Sequence, residues 1–285
     1  MLPNPKSLNQ DQEFWANVKL INQRIGYVRR KSKKRPNNGF TIPEPKEIVK
    51  RFSEFGIDHS KLVIGDELTS FGKEIATYMK IRGEMLTKIV EPNLMDQPEA
   101  KKVFNRLKKE LNPKCPLPTN KQKGEKKDYA YLTGLVNMLI EKEIGSLPCD
   151  YDPRLITTIT ENNFPKMSLS RRVDGAYPSA INPKAIWEIK EYYYTTTFGS
   201  RVADGVYETQ LDGWELKEAS RELNFEIDHI LIVDSHFTWW GMGRSYLCRL
   251  VDILHMGLVK EIIFGKEVVK RIPIIAKKWM KNTKK

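Results

Sequence analysis

One short segment of this chain places charges where a strand should be apolar. In Ala185-Ile186-Trp187-Glu188-Ile189-Lys190, an acid and a lysine sit two apart in an otherwise hydrophobic run. Strand side chains alternate, so Glu188 and Lys190 share one face while Trp187 and Ile189 share the other. Charge on such a strand is costly unless it is paired or functional. Upstream, Val173-Asp174-Gly175 sets a second acid at what reads as a tight turn, within hairpin-like reach of the strand. Two carboxylates and one ammonium can then surround a single small volume. Two carboxylates suit a hard divalent cation such as Mg²⁺. A neighbouring lysine can orient, or help deprotonate, a water that attacks a phosphate.

The Glu-x-Lys spacing carries little weight by itself. It occurs five times, at Glu44–Lys46, Glu99–Lys101, Glu125–Lys127, Glu188–Lys190 and Glu215–Lys217. Only the Glu188 copy interrupts an apolar strand, and only that copy has an Asp-Gly at a suitable distance upstream.

The rest of the chain reads as two regions. Residues 1–115 are mainly helical, with helical spacing over 11–25 (Phe14, Val18, Ile21, Ile25), 45–55, 66–89 and 97–111. Pro113, Pro116 and Pro118 break the pattern, and 119–127 reads as an exposed loop. Residues 128–285 form the second region. A helix is expected over 129–144, ended by Gly145. Strands follow at 155–160, 169–174 and 185–197, then a helix over 200–223, a strand at 229–234, a helix over 244–255 and a strand at 261–264. The basic tail from 277 reads as frayed. This order argues for an α/β sandwich around a mixed sheet.

The formal net charge is +12, which favours a polyanionic partner, most often nucleic acid. Three widely spaced cysteines with no CxxC pair argue against a zinc site or a disulfide framework and fit a reducing cytoplasm. No apolar run approaches the ~20 residues of a membrane helix, so no membrane partner is expected.

On Asp174, Glu188-Ile189-Lys190 and the order of elements around them, the region from 128 to 265 resembles the PD-(D/E)xK nuclease superfamily, the fold of most type II restriction endonucleases. The motif's proline is absent, Val173 standing before Asp174. The resemblance implies a restriction-endonuclease-like core: a mixed central sheet flanked by helices, here with an N-terminal, mainly helical region added. It implies Mg²⁺, with Mn²⁺ able to substitute, bound by Asp174, Glu188 and the main-chain carbonyl of Ile189. Lys190 would position the attacking water, and hydrolysis would leave a 5′-phosphate and a 3′-hydroxyl. Some branches add an acid from the first core helix, for which Glu141 and Glu143 are both candidates; periodicity does not choose between them. Others add a glutamine from the second core helix, here Gln210, one turn before Trp214.

Contacts to DNA are expected from Arg171 and Arg172, beside the catalytic acid, and from Arg29, Arg30 and Lys31 in the basic run 29–35. Tyr194, just after the active strand, is a further candidate, although strand propensity and packing explain most such tyrosines. Trp239-Trp240 reads as core, and the four histidines show no ligand spacing. The leading expectation is a sequence-specific endonuclease acting on double-stranded DNA as a homodimer, the dimer following from the symmetry of palindromic sites. A structure- or end-directed nuclease of repair, recombination or phage defence, and a non-catalytic DNA-binding protein, are the alternatives.

Overall fold

The computed structural model describes the chain except for residues 9, 30–38, 123–124, 196–198, 224 and 282–285, with the backbone alone at 121, 122 and 125–127. The N-terminal helices begin where the sequence supplies caps. Asp11 opens α1 (Gln12–Ile25) by accepting the Phe14 amide at 2.8 Å. A small ladder joins β1 (Val28–Arg29) to β2 (Gly39–Phe40), and α2 (Pro45–Ser53) follows with proline at its first position. A second small ladder joins β3 (Val63–Ile64) to β4 (Glu67–Leu68). Thr69 caps α3 (Ser70–Met85), which runs into a π-helical turn, Leu86–Val90, and the short α4 (Glu91–Asn93). A capping box between Asp96 and Glu99 starts α5 (Gln97–Leu111), and left-handed Asn112 ends it. Instead of the expected loop, 119–127 contributes to a hairpin of β5 (Thr119–Gln122) and β6 (Glu125–Tyr129).

The second region supplies the main sheet. Its elements are α6 (Tyr131–Ile144), β7 (Thr158–Glu161), β8 (Phe164–Ser168), β9 (Gly175–Tyr177), β10 (Ala185–Glu191), α7 (Ser200–Leu223), β11 (Asp228–Asp234), α8 (Arg244–His255), β12 (Glu261–Phe264) and α9 (Val268–Lys281). A second π-helical turn, His236–Met242, joins β11 to α8. The sheet order is β12-β11-β10-β9, with β9 antiparallel to β10 and the remaining pairs parallel. The class is therefore mixed α/β. β7 and β8 form their own two-stranded ladder, and β9 is flanked on its outer side by a single bridge from Asp150 to Ala176.

Two strand expectations change. Residues 169–174 form a loop: Leu169 and Val173 are buried against Ile186 and Leu216, which pins the loop to the α7 side of the sheet. β10 stops at Glu191: the Tyr192 amide makes a last bond to the Asp234 carbonyl at the end of β11, and the chain then turns, Thr195 donating back to Tyr192.

The sheet divides the core. Trp187, Ile189, Ile230, Ile232 and Ile263 pack on α5, α6 and α9. Leu231, Val233, Ile262 and Phe264 pack on α7, α8 and the N-terminal helices. The basic tail is not frayed as far as Lys281. Its helix α9 buries Trp279 against the sheet, stacked on Trp187 at 5.6 Å and on Tyr177 at 5.7 Å. The three stacked rings bury enough apolar surface to hold this basic helix on the sheet. On the opposite side, Arg82 of α3 is fully buried and ties the N-terminal helices to α8. It donates to both oxygens of Asp252, at 2.9 and 3.0 Å, and to Asn22 at 3.0 Å. Among the described residues, no helix is long and apolar enough to cross a membrane.

Removing one partner of a buried pair strands the other charge, at a cost of about 3–5 kcal/mol. Arg82→Met should therefore lower the urea unfolding free energy by about that much. Lys88→Ala, which breaks an exposed pair with Glu84, should change it by less than ~1 kcal/mol.

Candidate functional site

β10 sits between β9 and β11, and its alternation turns Glu188 and Lys190 toward α7. Both are buried, Glu188 completely. Lys190 Nζ lies 2.9 Å from Glu188 Oε2 and 2.8 Å from Glu208 Oε2 on α7. Gly205 makes this approach possible, since a Cβ there would meet the Lys190 Cδ at 3.1 Å. Arg171, projected inward by the pinned loop, completes the network. Its Nη1 is 2.6 Å from Asp212 Oδ2 and 3.0 Å from Glu188 Oε1, and its Nη2 is 3.1 Å from Glu188 Oε2 and 3.5 Å from Glu208.

Asp174 enters from the neighbouring strand. β9 pairs with β10 only through Ala185, Ile186 and Trp187. Just past its end, Asp174 Oδ2 accepts the Ile189 amide at 2.7 Å, replacing the missing ladder bond. A strand residue's N–H and C=O point to the same edge, so the Ile189 carbonyl also faces Asp174. Gly175 serves a different purpose from the turn expected of it. It has no positive φ. It is the first residue of β9, and a Cβ there would lie 2.0 Å from the Trp187 indole.

The electrostatics follow from four carboxyl groups sharing two cations. Burial, then Glu188, pushes Asp174 up to about 6. Burial also pushes Asp212 up to about 7, against the pull of Arg171. Burial would lower Lys190, but Glu188 and Asp174 outweigh it and hold the ammonium above its ordinary range. Glu208 moves the other way: burial raises it, and the Lys190 pair brings it below the usual carboxylate range. Among the described residues, no three His, Cys, Asp or Glu side chains converge as a ready-made metal cage. The donors still fit a divalent cation. Asp174, Glu188 and the Ile189 carbonyl offer the hard oxygens such an ion takes, and the carboxyl groups of the cluster outnumber its cations four to two.

Several expected participants lie elsewhere. Glu141 and Glu143 belong to α6, on the opposite face of the sheet. Glu141 accepts the Lys114 amide at 3.0 and 3.2 Å, and Glu143 pairs with Lys277 at 3.3 Å. Gln210 lies about half a helical turn round α7 from Glu208 and Asp212. Arg171 spends its donors on carboxylates, whereas Arg172 is exposed. Arg29 is held by Glu47 and the Ile42 carbonyl, bracing β1 against α2. Arg30 and Lys31 fall outside the described residues. Tyr194 is half-buried at the edge of the α6 core.

The residues that sequence reasoning missed are Glu208 and Asp212. A signal for them existed: Asp212 lies in line with Gly205, Thr209, Leu216 and Ala219 on the buried stripe of α7, and an acid on such a stripe requires a cation.

Residues 95–279 match the family model described as Domain of unknown function (DUF7687), and residues 1–89 match the one described as Domain of unknown function (DUF7690). The first match spans well over half of the chain, which therefore belongs to that family. Residues 90–94 separate the two matches, just before α5, which packs with α6 in one core. Nothing matches among curated proteins or among solved structures.

The raised acids give a pH test. Folded Asp174 and Asp212 keep protons up to about pH 6 and 7, which the unfolded chain releases near pH 4. The native state thus binds more protons in that window, and stability falls as pH rises through it. Asp174→Asn, which can still accept the Ile189 amide, should raise the melting temperature at pH 8 and leave it nearly unchanged at pH 4. Equal effects at both pH values would contradict the assignment.

Proposed function

We propose that this chain is a Mg²⁺-dependent nuclease of the PD-(D/E)xK kind that hydrolyses phosphodiester bonds in double-stranded DNA, acting as a type II-like restriction endonuclease. The observation that carries the reading is the junction of Asp174 with β10. One acid from the end of β9 meets Glu188 and Lys190 on the adjoining strand, with Asp174 Oδ2 on the Ile189 amide at 2.7 Å. The element order supports it: a helix before the strands, a helix between β10 and β11, and parallel pairing from β10 to β12. The net charge of +12 supports a polyanionic substrate.

Asp174, Glu188 and the Ile189 carbonyl would hold Mg²⁺ or Mn²⁺. The bound cation supplies Lewis acidity toward a phosphoryl oxygen and a water acidified for attack. Lys190 stays protonated between its carboxylates, so it orients water as a donor and balances charge as the phosphorane-like transition state forms. Glu208 fixes the direction of the Lys190 ammonium. Arg171, bound to Glu188 and Asp212, holds a fixed positive charge at the same place. A homodimer is proposed from the two-fold symmetry of palindromic sites.

The test is digestion of plasmid and phage DNA with Mg²⁺ or with EDTA. Discrete Mg²⁺-dependent bands are expected. A smear would redirect the reading to a structure- or end-directed nuclease. Binding without cleavage of any DNA form would redirect it to a DNA-binding protein. Asp174→Ala and Lys190→Ala should each lower the cleavage rate by about 10²-fold or more, the scale of removing a transition-state contact.

The two faces of the sheet give a sharper comparison. Glu141→Gln and Glu143→Gln, altered on the far side, should cleave within about twofold of the unaltered protein. Glu208→Gln should slow cleavage tenfold or more, because it loosens the Lys190 ammonium. Initial rates at fixed Mg²⁺ decide between them.

A further inference from the structure

A cleft of about 660 Å³ lies where the N-terminal helices meet the turn between β11 and α8. Its volume falls in the range of small-molecule sites. Phe40 and Trp240 supply aromatic walls, their centroids 5.8 Å apart at 62°. The Arg244 guanidinium lies over the Trp240 ring at 4.6 Å, and its Nε is bound to the Trp240 carbonyl at 2.9 Å. Among the described residues, the terminal nitrogens of Arg244 and the ammonium of Lys80 form no ion pair. Lys88 is exposed and pairs with Glu84 at 3.0 Å.

A second observation points to the same place. The two π-helical turns of the described chain are far apart in sequence, yet both line this cleft. Leu86–Val90 contributes Thr87 and Lys88, and His236–Met242 contributes Trp240. Such turns break the regular hydrogen-bond ladder and occur frequently at functional sites.

We infer that this cleft binds a nucleotide unit, a planar base joined to a phosphate, at a place separate from the Asp174 site. The chemistry matches in three respects. Bases stack on aromatic rings and on guanidinium planes. Lys80 and Arg244 provide cations for a phosphate. Glu91, which also lines the cleft, can accept from the amino group of a base. The site goes beyond the nuclease reading and does not depend on it. It is nevertheless joined to the catalytic strand. Trp239, next to Trp240, donates its Nε1 to the Lys190 carbonyl at 3.4 Å and packs on Tyr192 at 5.6 Å.

The nucleotide can come from two sources, the free pool or a nucleic acid strand, and one titration separates them. The full chain is titrated with AMP, GMP, CMP, UMP and TMP, and separately with a ten-nucleotide single strand. Tryptophan fluorescence and calorimetry follow the binding. The expected result is saturable one-to-one binding, weakened tenfold or more by Arg244→Ala and by Lys80→Ala at an unchanged melting temperature. Asp174→Asn, altered only at the other site, should leave it intact. Saturation by a mononucleotide assigns the free source; saturation by the oligonucleotide alone, with the same dependence on Arg244, assigns the strand. No saturable binding of any probe, or binding indifferent to Arg244 and Lys80, overturns the inference. Because Asp174→Asn keeps the Lys190–Glu188–Arg171 network intact, loss or absence of cleavage leaves this result untouched.

Discussion

The buried carboxylate of Glu188 is the interaction around which the sheet's α7 face is organised. A fully buried anion on a central strand is unstable without cations within hydrogen-bonding distance. Lys190 from the same strand supplies one, and Arg171 from the preceding loop supplies the other. Each cation then recruits an acid from α7, Glu208 for Lys190 and Asp212 for Arg171. The consequence is a closed ring of charges joining three segments that are distant in sequence. Asp174 stands at its rim, unpaired with either cation but bonded to the strand itself.

The apolar face of the same strand does complementary work. Trp187 and Ile189 are buried against α6 and α9, with Trp279 stacked on Trp187. Glycine at 175 is the only residue that lets the indole lie against β9. The Asp-Gly pair therefore combines two requirements, a carboxylate at the strand edge and no side chain beneath it. At the end of β10, Glu191 caps α6 in place of an ordinary N-cap residue, accepting the Thr133 amide at 2.9 Å. Three consecutive residues thus bind the α7 face, a helix terminus and the strand edge.

Much of the fold was legible in the sequence because helices and buried strands carry periodic signals. The spans of α5, α7, α8 and β12 match the pattern read from apolar spacing. What failed had a local reason in each case. Lysines hid the apolar stripe of α9. A polar hairpin at 119–129 had no apolar alternation to announce it. Leu169 and Val173 suggested a strand, yet they anchor a loop. In the site, Glu188 and Lys190 were readable from strand alternation and Asp174 from the Asp-Gly pair upstream, whereas Glu141, Glu143 and Gln210 rested on resemblance alone; α6 packs on the other face of the sheet, and Gln210 sits about half a turn from Glu208 and Asp212.

By itself the sequence determined that Glu188 and Lys190 share one face of a buried strand, because alternation is a local property of extended backbone. It also determined that an acid precedes that strand and that the chain is strongly basic. Only the tertiary structure decided which groups answer those charges. Ion pairing depends on distances of about 3 Å between segments tens of residues apart, and no periodicity within a segment encodes them. Arg171 facing inward, Glu208 and Asp212 closing the ring, and two π-helical turns meeting at one cleft all follow from how the elements pack.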